Sequence, residues 1–366
     1  MIAYNIGIPA IKSEGKGEGT DMHESIVKMG IVGAGLWGEA HASVYREHPC
    51  AEPVAICDVN REKADAFAAK FGIAQVYYSV EDMLKNSDCD AVAIVTPDFL
   101  HTELALACAK AGKHMIIEKP LATKREDVIH ILNAIREKGV RVMVDLHNRW
   151  NPPFNSVKQM VASGQYGEPR SAQFRLNDNL WVATDMLSWC AKSSILWFLG
   201  SHSLDTMNWI IDDYPVEVYA AKTEGKLRAL GIDAVDTYLS TIKYSRGAIA
   251  HMENSWVTPN GNPNVNDFKF NLLCTEGKFD VDASGHTLLQ VADAHRVVTA
   301  DVLVKNRVFE KCRGFAYESI RSFIDKLVSG EPFHVSVEEA ANVSLTLLAV
   351  MESAETGLPV KVERLS

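Results

Sequence analysis

The chain has no C-x-x-C pair, and its seven cysteines (Cys50, Cys57, Cys89, Cys108, Cys190, Cys274, Cys312) are scattered and odd in number. That pattern suggests neither a disulfide framework nor a cysteine-based zinc site, and reduced core thiols are expected. No H-E-x-x-H or comparable ligand spacing occurs, so no catalytic metal is expected. No apolar run is long enough to cross a bilayer, so no membrane partner is expected. There is no long basic run and the formal net charge is −10, which argues against nucleic acid as a partner. Internal repeats and low-complexity segments are also missing. Residues 1–26 lack the basic start, twin arginine and sustained apolar stretch of a secretory signal, and Pro9, Gly15, Gly17 and Gly19 interrupt them. A cytoplasmic protein is expected. This arm reads either as a disordered tail or, through Ile6, Ile8 and Ile11, as a segment that docks on a neighbouring subunit.

What is present is ordinary for a globular enzyme: 366 residues, 47% apolar and 23% charged, a length that suits two domains better than one. The informative stretch is a short apolar run, Val27–Val32, that ends in Gly33, Gly35 and Gly38, spaced G-x-G-x-x-G, with a helical pattern starting at once. Gly33 suits a tight strand-to-helix turn. Gly35, without a side chain, lets a pyrophosphate approach the backbone. Gly38 lets the helix pack closely on its strand. The N–H groups at the helix start, at Leu36 and Trp37, point at the phosphates. A second apolar strand, Val54–Cys57, ends in Asp58, which lies 20 residues beyond Gly38, about where an acidic side chain binds the adenosine ribose hydroxyls. Asp58 favours NAD over NADP, since a carboxylate repels a 2′-phosphate; nearby Arg61 keeps NADP open.

Strand and helix patterns then alternate to about residue 147. Apolar runs such as Ala91–Val95 and His114–Ile117 are of the kind found in parallel strands covered on both faces. The fold class expected for residues 27–147 is α/β, a Rossmann doubly wound parallel sheet with its ligand at the carboxyl ends of the strands. Gly33, Asp58, Thr96 and Lys119 all fall at such ends. From residue 148 to 366 the texture changes. Alternating segments (Ser171–Leu176, Val216–Ala221, Asp236–Tyr244, Ala248–Trp256, Phe268–Cys274, Lys278–Val281) predict an α+β domain with a largely antiparallel open sheet. One helix, roughly Ser194–Ile211, interrupts them, and two more close the chain. The Pro- and Asn-rich stretch Thr258–Asp267 reads as a long loop able to close over a substrate.

Two side chains stand out for chemistry. Lys119 follows a buried strand between Glu118 and Pro120, and a partly desolvated lysine has its pKa lowered toward the range of proton transfer. His202 sits in an otherwise apolar helix with Asp205 three residues on, and histidine is the usual acid/base near neutral pH. Ser201, His202 and Asp205 do not form a hydrolytic triad, because triad groups converge from separate segments.

The segments G-A-G-L-W-G, C-D-V-N, T-P-D-F-L-H, G-K-H-M-I-I-E-K-P-L-A, R-W-N-P-P-F and G-S-H-S-L-D resemble the glucose–fructose oxidoreductase / inositol dehydrogenase / rhizopine-catabolism (Gfo/Idh/MocA) family, over about residues 27–366. The resemblance implies a bound nicotinamide cofactor and reversible oxidation of a sugar or cyclitol hydroxyl. It implies that Lys119 and His202 flank the reacting carbinol, with His202 taking the hydroxyl proton and Lys119 polarising or relaying it, and that Arg149 lies near the nicotinamide or substrate. Thr96, Asp98, His101 and Glu118, in the T-P-D-F-L-H and E-K-P segments, join the expected cofactor contacts. Subunits of the family associate through open sheet faces, so a homo-oligomer is expected. One departure is visible. Many members carry an Asp four residues before the catalytic histidine, where this chain has Phe198. Asp185 is a candidate replacement. Phe198 with Trp181, Trp189 and Trp197 suggests a partly apolar pocket, suited to a sugar face or an aromatic aglycone. That points to the branch forming 3-oxo-glycosides, including enzymes of gut bacteria that act on plant C-glucosides. Inositol is the alternative substrate, and a non-enzymatic dinucleotide-binding sensor the alternative class.

Overall fold

The first sheet grows from apolar runs separated by capped helices. The computed structural model describes residues 26–365 except 286, 287, 296, 300 and 301; the arm bearing Ile6, Ile8 and Ile11 lies outside the described residues. Six strands pair in parallel: β1 (Val27–Val32), β2 (Ala51–Cys57), β3 (Gln75–Tyr77), β4 (Ala91–Ile94), β5 (His114–Glu118) and β6 (Val142–Asp145). Their order across the sheet is β3-β2-β1-β4-β5-β6, the expected doubly wound arrangement. Connections run through α1 (Leu36–Glu47), α2 (Arg61–Phe71), α3 (Val80–Asn86), α4 (His101–Lys110) and α5 (Arg125–Lys138). Strand order reverses between β1 and β4, which opens a crevice at their carboxyl ends.

The second sheet is mixed. It contains β7 (Pro169–Asn179), β8 (Pro215–Thr223), β9 (Thr237–Tyr244), β10 (Ile249–Thr258), β11 (Asn266–Cys274) and β12 (Lys278–Asp282), in the order β12-β11-β7-β10-β9-β8, with Val360–Lys361 added beside β8. Only β7 and β10 run parallel; the other pairs are antiparallel. Alternation along β9 explains its two faces: Tyr238, Ser240, Ile242 and Tyr244 point inward, while Leu239 and Lys243 point out. Helices α6 (Pro152–Ala162) and α7 (Ser201–Ile211) bury Phe154, Val157, Leu204 and Met207 against the inner face. The outer face keeps Tyr219, Leu239, Ile249 and Leu273 exposed.

The chain then returns to its beginning. After a short α8 (Lys226–Ala229), α9 (Phe315–Ser329) places Ile320, Phe323 and Ile324 in the core of the first sheet, not the second. Helix α10 (Val337–Thr356) is apolar on two sides: Ala341 and Leu345 join the first core, Leu347 and Val350 the second. It ties the two units together by contributing to both cores.

The stretch read as one helix over 194–211 is a wider-than-α turn at Leu196–Gly200 followed by α7. The loop after β10 does not hang free. Asn179 Nδ2 donates to the carbonyls of Asn262 and Asn264, and Asn260 accepts from the Trp181 N–H. The loop is pinned to the end of β7. Among the described residues no helix is long and apolar enough to cross a membrane.

Candidate active site

The carboxyl ends of β1, β2, β4 and β5 open on a cleft of about 710 Å³, closed on the far side by residues 186–189 and Phe198. At one end, Gly33 has φ 114, and a side chain there would press on the Val95 carbonyl at 2.6 Å. A Cβ on Gly38 would overlap the Gly33 carbonyl oxygen. Gly35 is different: a Cβ there meets nothing within 4 Å and would fill only open cleft. The first turn of α1, from Leu36 and Trp37, has no side-chain cap, so its N–H groups are free for an anion. This cradle fits the pyrophosphate of a dinucleotide.

Asp58 ends β2 in the same cleft. Its two oxygens accept the N–H groups of Ala34 (2.9 Å) and Asn60 (2.8 Å), which holds the carboxylate upright where ribose hydroxyls would meet it. Arg61 is stacked over the Tyr78 ring at 4.2 Å. Asp58→Ala is expected to weaken NAD binding about tenfold or more, the scale of roughly 1.5–3 kcal/mol for a hydrogen bond to a charged group. A titration that returns unchanged NAD affinity would remove Asp58 from the ribose contact.

At the other end, Lys119 follows β5 and enters the cleft. Its Nζ donates to the Phe198 carbonyl at 2.6 Å and lies 4.4 Å from the centre of the Phe198 ring. Burial lowers the Lys119 pKa, against the opposing pull of Glu118, Asp98, Asp178 and Asp145. His202, in the first turn of α7, is buried; its Nδ1 has no hydrogen-bond partner. Burial, with His147 and Lys119 adding to it, holds His202 well below the ordinary histidine range, so the ring is neutral and able to accept a proton. His202 does not line the cleft itself: Trp37, which does, stacks on His147 at 5.2 Å, and His147 lies 4.5 Å from His202.

Several expected contacts fall elsewhere. His101 is buried with Nδ1 2.7 Å from the Pro120 carbonyl and Nε2 3.0 Å from that of Thr96. It braces the two strand-end loops from behind, and does not line the cleft. Thr96 and Asp98 do line it; Asp98 also accepts from Ser193 Oγ, stitching the first unit to the second. Arg149 is only 5% exposed and is fully engaged: Nε and Nη2 make a bidentate pair with Asp205, at 3.0 and 2.6 Å, and Nη1 reaches the His334 carbonyl and Glu339. It sits under α7 as a clamp. Asp185 is exposed and accepts only from its neighbour Thr184, so it does not stand in for the carboxylate missing at Phe198. Trp189 lines the cleft beside Phe198, whereas Trp197 is core.

Three groups were not singled out in the sequence. Asp178, near the end of β7, is buried with Oδ2 unpartnered, and burial pushes its carboxyl up to about 8, against the pull of Lys119. Asp145 and His147 follow from β6. The signal that points to them is the strand end itself: β6 is a further parallel strand with its carboxyl end at the same edge.

Comparison with known proteins agrees with this geometry. Residues 27–146 match an oxidoreductase family with an NAD-binding Rossmann fold, and residues 154–280 match the GFO/IDH/MocA C-terminal domain. A myo-inositol 2-dehydrogenase of Thermotoga maritima is 25% identical over 92% of this chain and 99% of its own length. A levoglucosan dehydrogenase of Pseudarthrobacter phenanthrenivorans is 28% identical over 73% of this chain and 76% of its own. The structure of a scyllo-inositol dehydrogenase from Lactobacillus casei, with bound NAD(H) and scyllo-inositol, superposes with a TM-score of 0.78 over 92% of this chain and 99% of that one; at 18% identity this is a likeness of fold. Both family domains, matched in order over residues 27–146 and 154–280, make the chain a member of the Gfo/Idh/MocA family of NAD-binding oxidoreductases.

Proposed function

We propose that the protein oxidises a secondary hydroxyl of a sugar, glycoside or cyclitol to a ketone, with Lys119 and His202 handling the proton. The observation that carries this reading is the pairing of a cleft lysine, its pKa lowered by burial, with a neutral buried histidine that feels the lysine's charge and packs against His147. His202 accepts the hydroxyl proton. Lys119, held by the Phe198 carbonyl, polarises the oxygen or relays the proton outward. NAD, when bound on the glycine cradle, supplies the hydride acceptor. The inositol and levoglucosan dehydrogenases among the relatives support this substrate class.

The finer reading is a glucoside oxidised at C3 to a 3-oxo-glucoside, with NAD kept on the protein and restored by a second sugar. Its support is the aromatic wall. Phe198 is 6.2 Å from Trp189, which meets Phe99 edge-on at 6.3 Å, with Met186 and Leu187 beside them. Rings of this kind stack on a sugar face or on an aromatic aglycone. The seven buried cysteines suit the cytoplasm, and the open, apolar-studded outer face of the second sheet suits association of identical subunits.

The test is incubation with a panel of glucosides, free sugars and inositols, with product analysis by mass spectrometry and a search for NAD in the denatured protein. An oxo-sugar from a glucoside, with NAD retained, is expected. Oxidation of inositols alone would replace the glucoside reading. No oxidised product from any member of the panel in the presence of NAD would overturn the reaction itself.

A further inference from the structure

Next to Lys119 in the chain, Glu118 joins two other buried side chains that face it from separate elements. His41 comes from α1, Glu118 from the last residue of β5 and Asp145 from the last residue of β6. One potential ligand atom from each lies within 4.8 Å of the other two. His41 and Asp145 are 0% exposed and Glu118 6%.

Each side chain has one polar atom without a hydrogen-bond partner: His41 Nε2, Glu118 Oε1 and Asp145 Oδ2. The remaining polar atoms of two of them are already held. His41 Nδ1 is 2.7 Å from Tyr45 Oη, and Asp145 Oδ1 accepts from Ser319 Oγ. Both ring nitrogens of His41 and both oxygens of Asp145 are thereby accounted for, and neither side chain bonds the other or Glu118. His147 adds a fourth unpartnered atom, Nδ1, 4.0 Å from Asp145 Oδ2.

The three atoms make no hydrogen bonds and lie within 4.8 Å of one another, a spacing that admits a central atom. Carboxylate and imidazole ligands at roughly 2.0–2.2 Å from a metal lie about 3–4 Å from one another. The outer contacts suit a metal centre: the other ring nitrogen of the histidine is hydrogen-bonded, here with the Tyr45 hydroxyl, and the carboxylate is itself hydrogen-bonded, here by Ser319. Two adjacent carboxylates out of water are stabilised either by a shared proton or by a cation. Of the cations that act on Glu118, Lys119 is bound to the Phe198 carbonyl and Lys305 lies over the Trp37 ring.

We infer that His41, Glu118 and Asp145 bind one divalent first-row transition-metal ion, with His147 in reach as a fourth ligand. One nitrogen and two carboxylate ligands suit Mn2+, Fe2+ or Zn2+. The ion joins α1 to the ends of β5 and β6 and fixes Glu118, the residue next to Lys119, at the floor of the cleft. The absence of local ligand spacing led to the expectation of no metal; these ligands come from three separate elements, which no short pattern reveals. The inference does not depend on which sugar the protein oxidises.

The experiment uses the full chain, stripped with a chelator and returned to metal-free buffer. Titration with Mn2+ and with Zn2+, followed by calorimetry and elemental analysis, is expected to show one ion per chain at micromolar affinity or tighter. His41→Ala and Asp145→Asn are each expected to weaken uptake at least about a hundredfold, since loss of an outer-shell partner alone costs up to that much. Circular dichroism checks that the variants fold. If they do not, Co2+ loading of the unaltered protein provides the readout: visible d–d bands of a nitrogen- and oxygen-ligated ion at one equivalent. No stoichiometric uptake by the unaltered protein, full affinity in both folded variants, or no Co2+ bands at one equivalent overturns the site.

Discussion

Replacing Lys119 with alanine is expected to lower turnover at least about a hundredfold, and His202→Ala to do the same, the scale of a positioned acid or base. The two lysines that line the cleft are Lys63, on α2, and Lys119. Removing Lys119 also frees the Phe198 carbonyl and takes away the positive charge felt by Glu118, Asp98, Asp178 and Asp145. The effect should fall on turnover more than on NAD affinity, because the glycine cradle and Asp58 are at the other end of the cleft. For His202 the sign of the pH effect follows from its environment. Burial, helped by His147 and Lys119, lowers its pKa, so it remains a neutral base below the ordinary histidine value of about 6.5. The acid limb of the turnover profile that is lost in His202→Ala should therefore lie below that value. Normal turnover in either variant would remove that residue from the mechanism, and an acid limb at the ordinary histidine value would contradict the buried, neutral ring.

Asp205→Ala is the variant expected to cost most stability. Its carboxylate makes a bidentate pair with Arg149, and both side chains are almost fully enclosed. Removing one partner of a buried pair strands the other charge, at a cost of about 3–5 kcal/mol. The Arg149 contacts with Glu339 and the His334 carbonyl remain, so the lower end of that range applies. A clear fall in the denaturant midpoint is expected. Arg149→Lys should also lower the midpoint, because an ammonium does not reproduce the planar two-point contact. It should also leave NAD affinity unchanged if folded, since Arg149 lies under α7 and not in the cleft. An unchanged midpoint in Asp205→Ala would show that the pair carries no net stability. A large loss of NAD affinity in folded Arg149→Lys would return Arg149 to the cofactor.

The features most legible in the sequence are those that follow from the backbone. Gly33, Gly35 and Gly38 must be glycines because of one φ value, one open approach and one helix–strand contact, and these are local. Unbroken apolar runs gave β4 and β5, and alternation gave β9 and β11, because side-chain period and burial are tied within a strand. The misplacements have a different cause. Arg149 and His101 have the right chemistry and the right neighbours in sequence, but their partners are Asp205 and His334 in one case and Pro120 in the other. Asp185 lies close to Phe198 in sequence and is exposed, while Asp178, which does feel Lys119, sits on the twisted end of β7.

The sequence alone therefore determined the first fold unit, the direction of its strands and the edge at which a dinucleotide rests, because a periodic pattern and a glycine spacing act over a few residues. Tertiary structure decided which charged groups share a space. Helices α9 and α10 return to close the first core, β6 brings Asp145 and His147 beside Glu118 and His41, and α7 is clamped so that His202 lies against His147. Electrostatic and metal-binding character depends on burial and on distances of a few ångströms between residues far apart in the chain. Those quantities are set by packing, and no local pattern encodes them.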